Sequence, residues 1–483
     1  MLLLTILRSL VFVFWEGAHF DANQAVFGLM AKHLAEGRAF PVFMYGQTYM
    51  LAVESWLAAP IFAIAGPSVT ALKLPLLAIN LAIVWLLGRL LIDEAHLPPV
   101  AAGLASLFFV LPGPGTTARL LEASGGTLEP FLYVLLLWIT RRRAVWCGVV
   151  LGIGLLNREF TIYGFASLVV VTVLTDSKKR DVLRRLAAVL VIAAAIYMLA
   201  QFGARHGPTM GPGTTRADLR TRHQAVGVAE RLCIDLQTLP GGLLDLARVH
   251  WPLLFATAVE PVRAFGVQSN VIQGAVGMSA ALGLTMLLAS MRVARYTVRG
   301  GWDSDYNVCA YLVLTAACSF CSYVLFRCGV VTSAKMRYDM LSIAGAVGLS
   351  AWFLRVERIR VVTIAWTLLV LAWSLTMARP HAELVAEYLT HPPINGQRVM
   401  VRALEAHGIS YAKASYEWAY PIDFLSGERI VVASSTRVRI REYQRKVAAH
   451  VSHAVVIGRD YCDGGTRAAP GMYLCPPVHR CRR

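Results

Sequence analysis

The sequence predicts an all-α polytopic membrane protein carrying a small α/β extracytoplasmic domain at its C-terminal end. Three observations lead there. The chain of 483 residues is 57% hydrophobic and only 16% charged, whereas a soluble domain is nearer a quarter charged. Apolar stretches near the length of about 20 residues that a membrane helix needs recur from the first residue to about Ala378. Beyond that point charged residues rise and the apolar runs shorten to strand length.

About eleven spans are expected: 1–15, 69–92, 97–113, 127–140, 144–157, 161–176, 185–203, 270–291, 307–328, 338–354 and 361–378. So many spans exclude a secreted chain with one cleaved signal. The formal charge of +17 does not mark nucleic-acid binding, which needs a continuous basic face. The cations gather instead in short clusters between apolar runs: Arg141 to Arg143, Lys178 to Arg185, Arg292 to Arg299 and Arg355 to Arg360. Alternation puts all four on one side, the side that the positive-inside rule assigns to the cytoplasm. The expected location is the inner (plasma) membrane, with the N-terminus cytoplasmic and the C-terminal tail outside. The first span is short and Arg8 interrupts it, so a few native residues are expected to precede Met1.

Residues 1–378 thus read as a transmembrane domain with extracytoplasmic loops at about 16–68 and 204–268. Residues 379–483 read as the extracytoplasmic domain. The first loop should hold helices from Ala22 to Glu36 and from Tyr49 to Ala65, and the second a helix from Leu243 to Ala256 anchored by Trp251 at the interface. In the tail, helices are expected at Gln397–His407 and Arg441–Val451. Strands are expected at Ile409–Ala414, Arg429–Ala433 and Ala454–Ile457. Of the nine cysteines, Cys462, Cys475 and Cys481 share the tail. A disulfide there, most simply Cys462 to Cys475, would leave one thiol over. Cys318 and Cys321 sit in an apolar helix, where a metal or redox role is not expected. No internal repeat of the secondary-transporter kind is present.

Five polar constellations fall on the outer side. Asp21 opens a helix and, with Gln24, reads as a capping box; a capped start also holds a carboxylate rigidly. Tyr45-Gly46-Gln47-Thr48-Tyr49, with Glu54 beyond, offers the polar and aromatic contacts a sugar takes, and equally suits an interfacial loop. Ser124-Gly125-Gly126 with Glu129 reads as a tight turn, or as a place where backbone meets ligand. Arg158 and Glu159 either neutralise one another or sit recessed, where a guanidinium suits phosphate. Lys335, Arg337 and Tyr338 open a late span as snorkelling cations or as a phosphate site.

At these residues the chain resembles the GT-C membrane glycosyltransferases, specifically the bacterial protein mannosyltransferase and aminoarabinose transferase group. The matching features are Asp21, the helix ending Ala35-Glu36-Gly37, the Tyr45 to Tyr49 stretch leading to Gly66, Gly125-Gly126 with Glu129, and Arg337-Tyr338. The resemblance spans about residues 15–356. It implies an inverting glycosyltransferase that moves a hexosyl or pentosyl unit from a polyprenyl-phosphate donor to an extracytoplasmic hydroxyl on a glycan, lipid or protein. Asp21 would be its catalytic carboxylate. Arg158, Lys335 and Arg337 are then expected to take the donor phosphate. Gln24, Gln47, Tyr49, Glu54, Glu129, Glu159 and Tyr338 are expected to take sugar or acceptor. Several relatives have a second acidic residue beside the Asp, where this chain has Ala22, Asn23 and Gln24. That departure favours a metal-independent reaction with no cofactor, since one carboxylate is a poor divalent-cation site. Membrane lipids are expected partners and nucleic acid is not. The competing reading is a transporter or flippase of a lipid-linked saccharide; a catalytically dead relative whose tail is a binding module is a third.

Overall fold

The computed structural model describes all residues except 48, 207–210, 213–238, 246–250, 256–275, 301, 327–332, 459–464, 470–471 and 477–483. The protein is mostly helical with a five-stranded sheet near its C-terminus. Four helices are long and apolar enough to cross a membrane: α4 (Val69–Asp93), α10 (Lys179–His206), α14 (Asn307–Phe326) and α16 (Arg360–Thr390). A fifth crossing is available if the bent pair α5 (Pro99–Val110) and α6 (Pro114–Leu120) counts as one span. Shorter apolar helices are α1 (Leu2–Phe14), α3 (Val53–Ala65), α7 (Glu129–Thr140), α8 (Ala144–Asn157), α9 (Thr161–Thr175) and α15 (Ser342–Val356). The chain is a multi-pass membrane protein. A helix lies at each of the eleven segments expected to span, the eighth being α13 (Val276–Val298).

The α5/α6 break bends the chain by 85° and frees backbone carbonyls inside the bundle, which must be paired. Arg8 on α1 donates to Phe109 O at 2.7 Å and to Asn80 Oδ1 at 2.7 Å. Asn80 in turn donates to Leu120 O at 2.9 Å. The Arg8 that interrupts the first span therefore serves to hold the broken helix.

Several sequence expectations are revised. The helix expected to end at Ala378 runs unbroken to Thr390, through Pro380. Of the helix expected over Leu243–Ala256, the described part comprises two short pieces, α11 (Leu239–Asp245) and α12 (Trp251–Phe255). In the first loop α2 covers Ala22–Ala35. It does not lie flat on an interface: most of its residues are buried, because the tail closes over it.

The tail begins with α17 (Gly396–Ala406) and continues β1 (Tyr411–Ala414), α18 (Tyr416–Leu425), β2 (Val431–Ser434), α19 (Arg441–Ala449), β3 (Val455–Gly458), β4 (Thr466–Ala469) and β5 (Met472–Cys475). Sheet order is β2-β1-β3-β5-β4, with β1 parallel to both β2 and β3 and the β4–β5 hairpin antiparallel. The sequence showed the first three strands. It hid α18, whose ten residues include Pro421, and the hairpin. Cys475 is disulfide-bonded; Cys462 and Cys481 lie outside the described residues.

Helix α18 is what fixes the tail to the first loop. Phe424 stacks near Phe20 and Phe62, with ring centroids 5.7 and 6.1 Å away. A Cβ on Gly28 would come within 2.6 Å of the Phe424 ring, so glycine is what lets α2 and α18 touch.

Candidate functional site

Asp21 is the N-cap of α2, and its Oδ1 accepts from Gln24 N at 2.9 Å. The reciprocal half of the expected capping box is absent. Gln24, fully buried, donates its amide to His19 O at 2.8 Å and accepts from Ala123 N at 3.3 Å. Its side chain is therefore bonded to the protein's own backbone at both ends. His19, just ahead of Asp21, has φ +52°, a costly conformation for a residue with a Cβ.

A dense set of charges surrounds Asp21. Glu122 Oε2 accepts from Arg119 at 2.6 Å and contacts His19 Nε2 at 3.3 Å. Burial alone would raise the Glu122 carboxyl, but Arg119 and His19 outweigh it and hold it well below the usual carboxylate range. Asp21 moves the other way: burial, then the neighbouring Glu122 charge, push it above the ordinary aspartate value, against the Gln24 N–H and His19. A carboxylate raised in this way is a stronger base than a solvated one.

The segment 122–126 carries the site onward. Glu54 Oε1 accepts from Gly125 N at 2.7 Å and Gly126 N at 3.3 Å, and Arg158 Nε donates to Gly125 O at 2.6 Å. Both glycines have positive φ, +81° and +83°. A Cβ on Gly126 would fall 1.9 Å from Arg158 Cγ. The glycine pair thus does two things a larger residue cannot: it turns, and it lets Arg158 lie flat against it.

Arg158 spends only its Nε on protein; among the described residues its terminal nitrogens have no hydrogen-bond partner. Its guanidinium stands 6.0 Å from the Phe160 ring, which meets Tyr338 edge-on at 5.5 Å. Arg337 lies over Tyr338 at 5.1 Å and donates to its hydroxyl at 3.3 Å. Arg158 and Arg337 thus flank one aromatic wall.

Behind the glycine turn the Glu54 and Glu129 carboxyls share a hydrogen bond, and buried polar atoms accumulate without protein partners among the described residues: Ser124 Oγ, Asn157 Oδ1, Thr161 Oγ1 and Arg337 Nε. The Glu54 and Glu129 carboxyls are neighbours, each in the other's field, and Tyr133 stands in the field of both. Unpaired buried polar groups are rare in folded proteins.

Other expected residues sit differently. Glu159 is exposed, and Tyr49 is 44% exposed. Gln47 faces Arg439 of the tail, with which it pairs at 3.1 and 3.3 Å once its amide is turned. Arg439 also donates to Tyr45 O at 3.2 Å. The Tyr45-Gly46-Gln47 turn is therefore a docking point for the tail. Lys335 lies on the short 3-10 turn Ser333–Tyr338, and its side chain lies outside the described residues, as does Thr48.

Nothing in the sequence marks the tail's part in the site. Tyr416 donates to Asn23 Oδ1 at 2.7 Å, two residues from Asp21. Arg437 and Arg439 stand 5.3 and 5.8 Å from its ring, and Glu417 lies in the electrostatic field of Asp21. No motif links positions so far apart; only the docking of α18 onto α2 does.

No protein-family model and no curated protein matches the chain. It is similar to the crystal structure of ArnT from Cupriavidus metallidurans in the apo state, at 12% identity and a TM-score of 0.42, over 94% of this chain and 92% of that one. Likeness at that level does not extend to chemistry.

Proposed function

We propose that the protein is a membrane glycosyltransferase that takes a sugar from a polyprenyl-phosphate donor and places it on an extracytoplasmic hydroxyl. One observation carries the reading. The segment 122–126 has Glu122 beside Asp21 at one end and Gly126 against Arg158 at the other. Four residue steps span at most roughly 14 Å, so one short segment joins the surroundings of the raised Asp21 carboxylate to the Arg158 guanidinium, whose terminal nitrogens have no hydrogen-bond partner among the described residues.

In this reading Asp21 takes the proton of the acceptor hydroxyl as its oxygen attacks the anomeric carbon. The bond to the phosphate breaks, and the phosphate leaves with the electron pair. Arg158 and Arg337 stabilise that leaving charge. Lys335 joins them by its position on the same turn as Arg337. Glu54 and Glu129, behind the glycine turn, would hold the sugar's hydroxyls. Of the sugar-facing roles expected of Gln47, Tyr49, Glu159 and Tyr338, only that of Tyr338 is kept, since it lines the wall between the cations. The surrounding membrane supplies the donor, and the tail, lying over Asp21, borders the acceptor's approach; the reading places tail and site on the extracytoplasmic side. No metal or cofactor enters these steps.

Native mass spectrometry of the detergent-purified protein is expected to show a co-purified polyprenyl-phosphate sugar. Undecaprenyl phosphate, used as a probe, should bind the wild type and Asp21→Asn alike and bind Arg158→Ala at least tenfold more weakly. Asp21→Asn should lower turnover of the co-purified donor by about 10²–10⁴-fold. Turnover should also fall on acidification, with its midpoint above the ordinary aspartate value near 3.9, because Asp21 is raised and must be ionised to act. A flippase would keep its activity in Asp21→Asn, and that result would overturn the transferase reading.

A further inference from the structure

The turn that presents Asp21 is strained, and a buried lysine from another helix holds it. Lys73 lies in the first half of α4 and is 0% exposed. A lysine ammonium so placed is costly unless its three donors are used. Its Nζ donates to Ala18 O at 2.9 Å and to His19 O at 2.9 Å. The same His19 carbonyl accepts from Gln24 at 2.8 Å. His19 is one of the non-glycine residues with positive φ, and conformations of this kind persist only where surrounding contacts over-determine them. The contacts here come from three directions: Lys73 and Gln24 on the carbonyl, and Glu122 on the imidazole. Asp21 follows two residues later, and the Lys73 charge lies in the field of both Asp21 and Glu122.

We infer that Lys73 is a positioning residue for Asp21: by bonding the Ala18 and His19 carbonyls it locks the strained turn that aims the Asp21 carboxylate. The inference rests on the transferase reading for its catalytic consequence, and on the hydrogen bonds alone for its structural one. A hydrophobic residue of similar length at position 73 would leave the Ala18 carbonyl without this donor and the His19 carbonyl with Gln24 alone. The turn would relax, and Asp21 would point along a range of directions.

The test uses the full-length protein in detergent with three variants: Lys73→Met, Gln24→Leu, and Lys73→Met combined with His19→Gly. In Lys73→Met, hydrogen exchange over residues 18–24 should quicken by at least tenfold while the tail's exchange stays as in the wild type. Undecaprenyl phosphate should bind unchanged. Turnover of the co-purified donor should fall by about 10²-fold, the scale of a misplaced catalytic group, in kcat and not in KM. Gln24→Leu, which removes the other donor to His19, should give the same local exchange signature with a smaller loss, and it stands in if Lys73→Met does not fold. The thermal midpoint of Lys73→Met should fall, and because glycine adopts positive φ freely, adding His19→Gly should recover part of that loss.

Wild-type exchange over 18–24 in Lys73→Met, or a loss of protection spread evenly over bundle and tail, would overturn the clamp. So would the absence of any recovery in the double variant. If instead Asp21→Asn keeps full turnover, the transferase reading fails, and the exchange and recovery measurements still decide the clamp.

Discussion

Two polar clusters flank α2, and they differ in how completely the protein satisfies them. On the tail side, Glu428 is a saturated hub. One oxygen takes Lys32 at 2.5 Å and Arg38 at 2.6 Å, and the other takes His33 at 3.1 Å and Tyr443 at 2.7 Å. On the bundle side, the Glu54 and Glu129 carboxyls bond to each other, and Glu54 also to the Gly125 and Gly126 amides, while Ser124 Oγ, Asn157 Oδ1 and Thr161 Oγ1 have no partner among the described residues. The first sets one carboxylate among cations, and the second sets two carboxyls side by side. A carboxylate whose bonds all run between elements holds those elements together, whereas buried polar atoms left without partners call for a separate explanation. The first is a joint between tail and loop; the second belongs to the site proposed above.

The sharpest way to break this contrast is at Gly126. Its φ is +83°, and an added Cβ would lie 1.9 Å from Arg158 Cγ, so Gly126→Ala should expel Arg158 from its seat. Undecaprenyl phosphate binding should fall at least tenfold, while limited proteolysis shows the tail still docked. Retained binding would mean that Arg158 is not the phosphate ligand.

At the joint, Glu428→Gln should loosen the tail at a cost of about 1–3 kcal/mol, since Lys32 and Arg38 lose their shared carboxylate but keep Glu36. The effect carries a pH signature. Burial would raise the Glu428 carboxyl, but His33, Arg38 and Lys32 hold it well below the usual range. A depressed carboxyl stabilises the fold above its unfolded value near 4.3 and loses that contribution as pH falls toward the folded value. The difference in thermal midpoint between wild type and Glu428→Gln should therefore be full at pH 7 and shrink below about pH 4. An unchanging difference would show that the hub acts through shape, not charge.

The smallest effect is expected at Glu54→Gln. The amide keeps an oxygen for Gly125 N and Gly126 N and relieves the repulsion with Glu129. Stability should change by less than about 1 kcal/mol or rise, measured as a thermal midpoint, whereas turnover falls. A large loss of stability would move Glu54 from the open cluster to the structural one.

Short-range physics is legible in one dimension, and it carried much of the fold. Apolar run length marked the helices. Charge clusters in the loops produced a consistent alternation. Short apolar runs marked β1, β2 and β3, and Asp21 before Ala22-Asn23-Gln24 marked a helix cap that the structure contains. The glycine pair and Arg158 stood out because φ freedom and a charge between apolar runs both show in a linear sequence. What each group touches was settled only by packing. Gln24 looked like a cap partner or a sugar ligand and is bound to His19 and Ala123, which lie 104 positions apart (123 minus 19). Tyr45-Gly46-Gln47 looked like a binding loop and is where Arg439 docks. Lys73, one charge in an apolar span, bonds the turn before Asp21. The reason is physical: a buried polar group must find a partner wherever the fold supplies one. That partner is set by how helices pack, which no local pattern records.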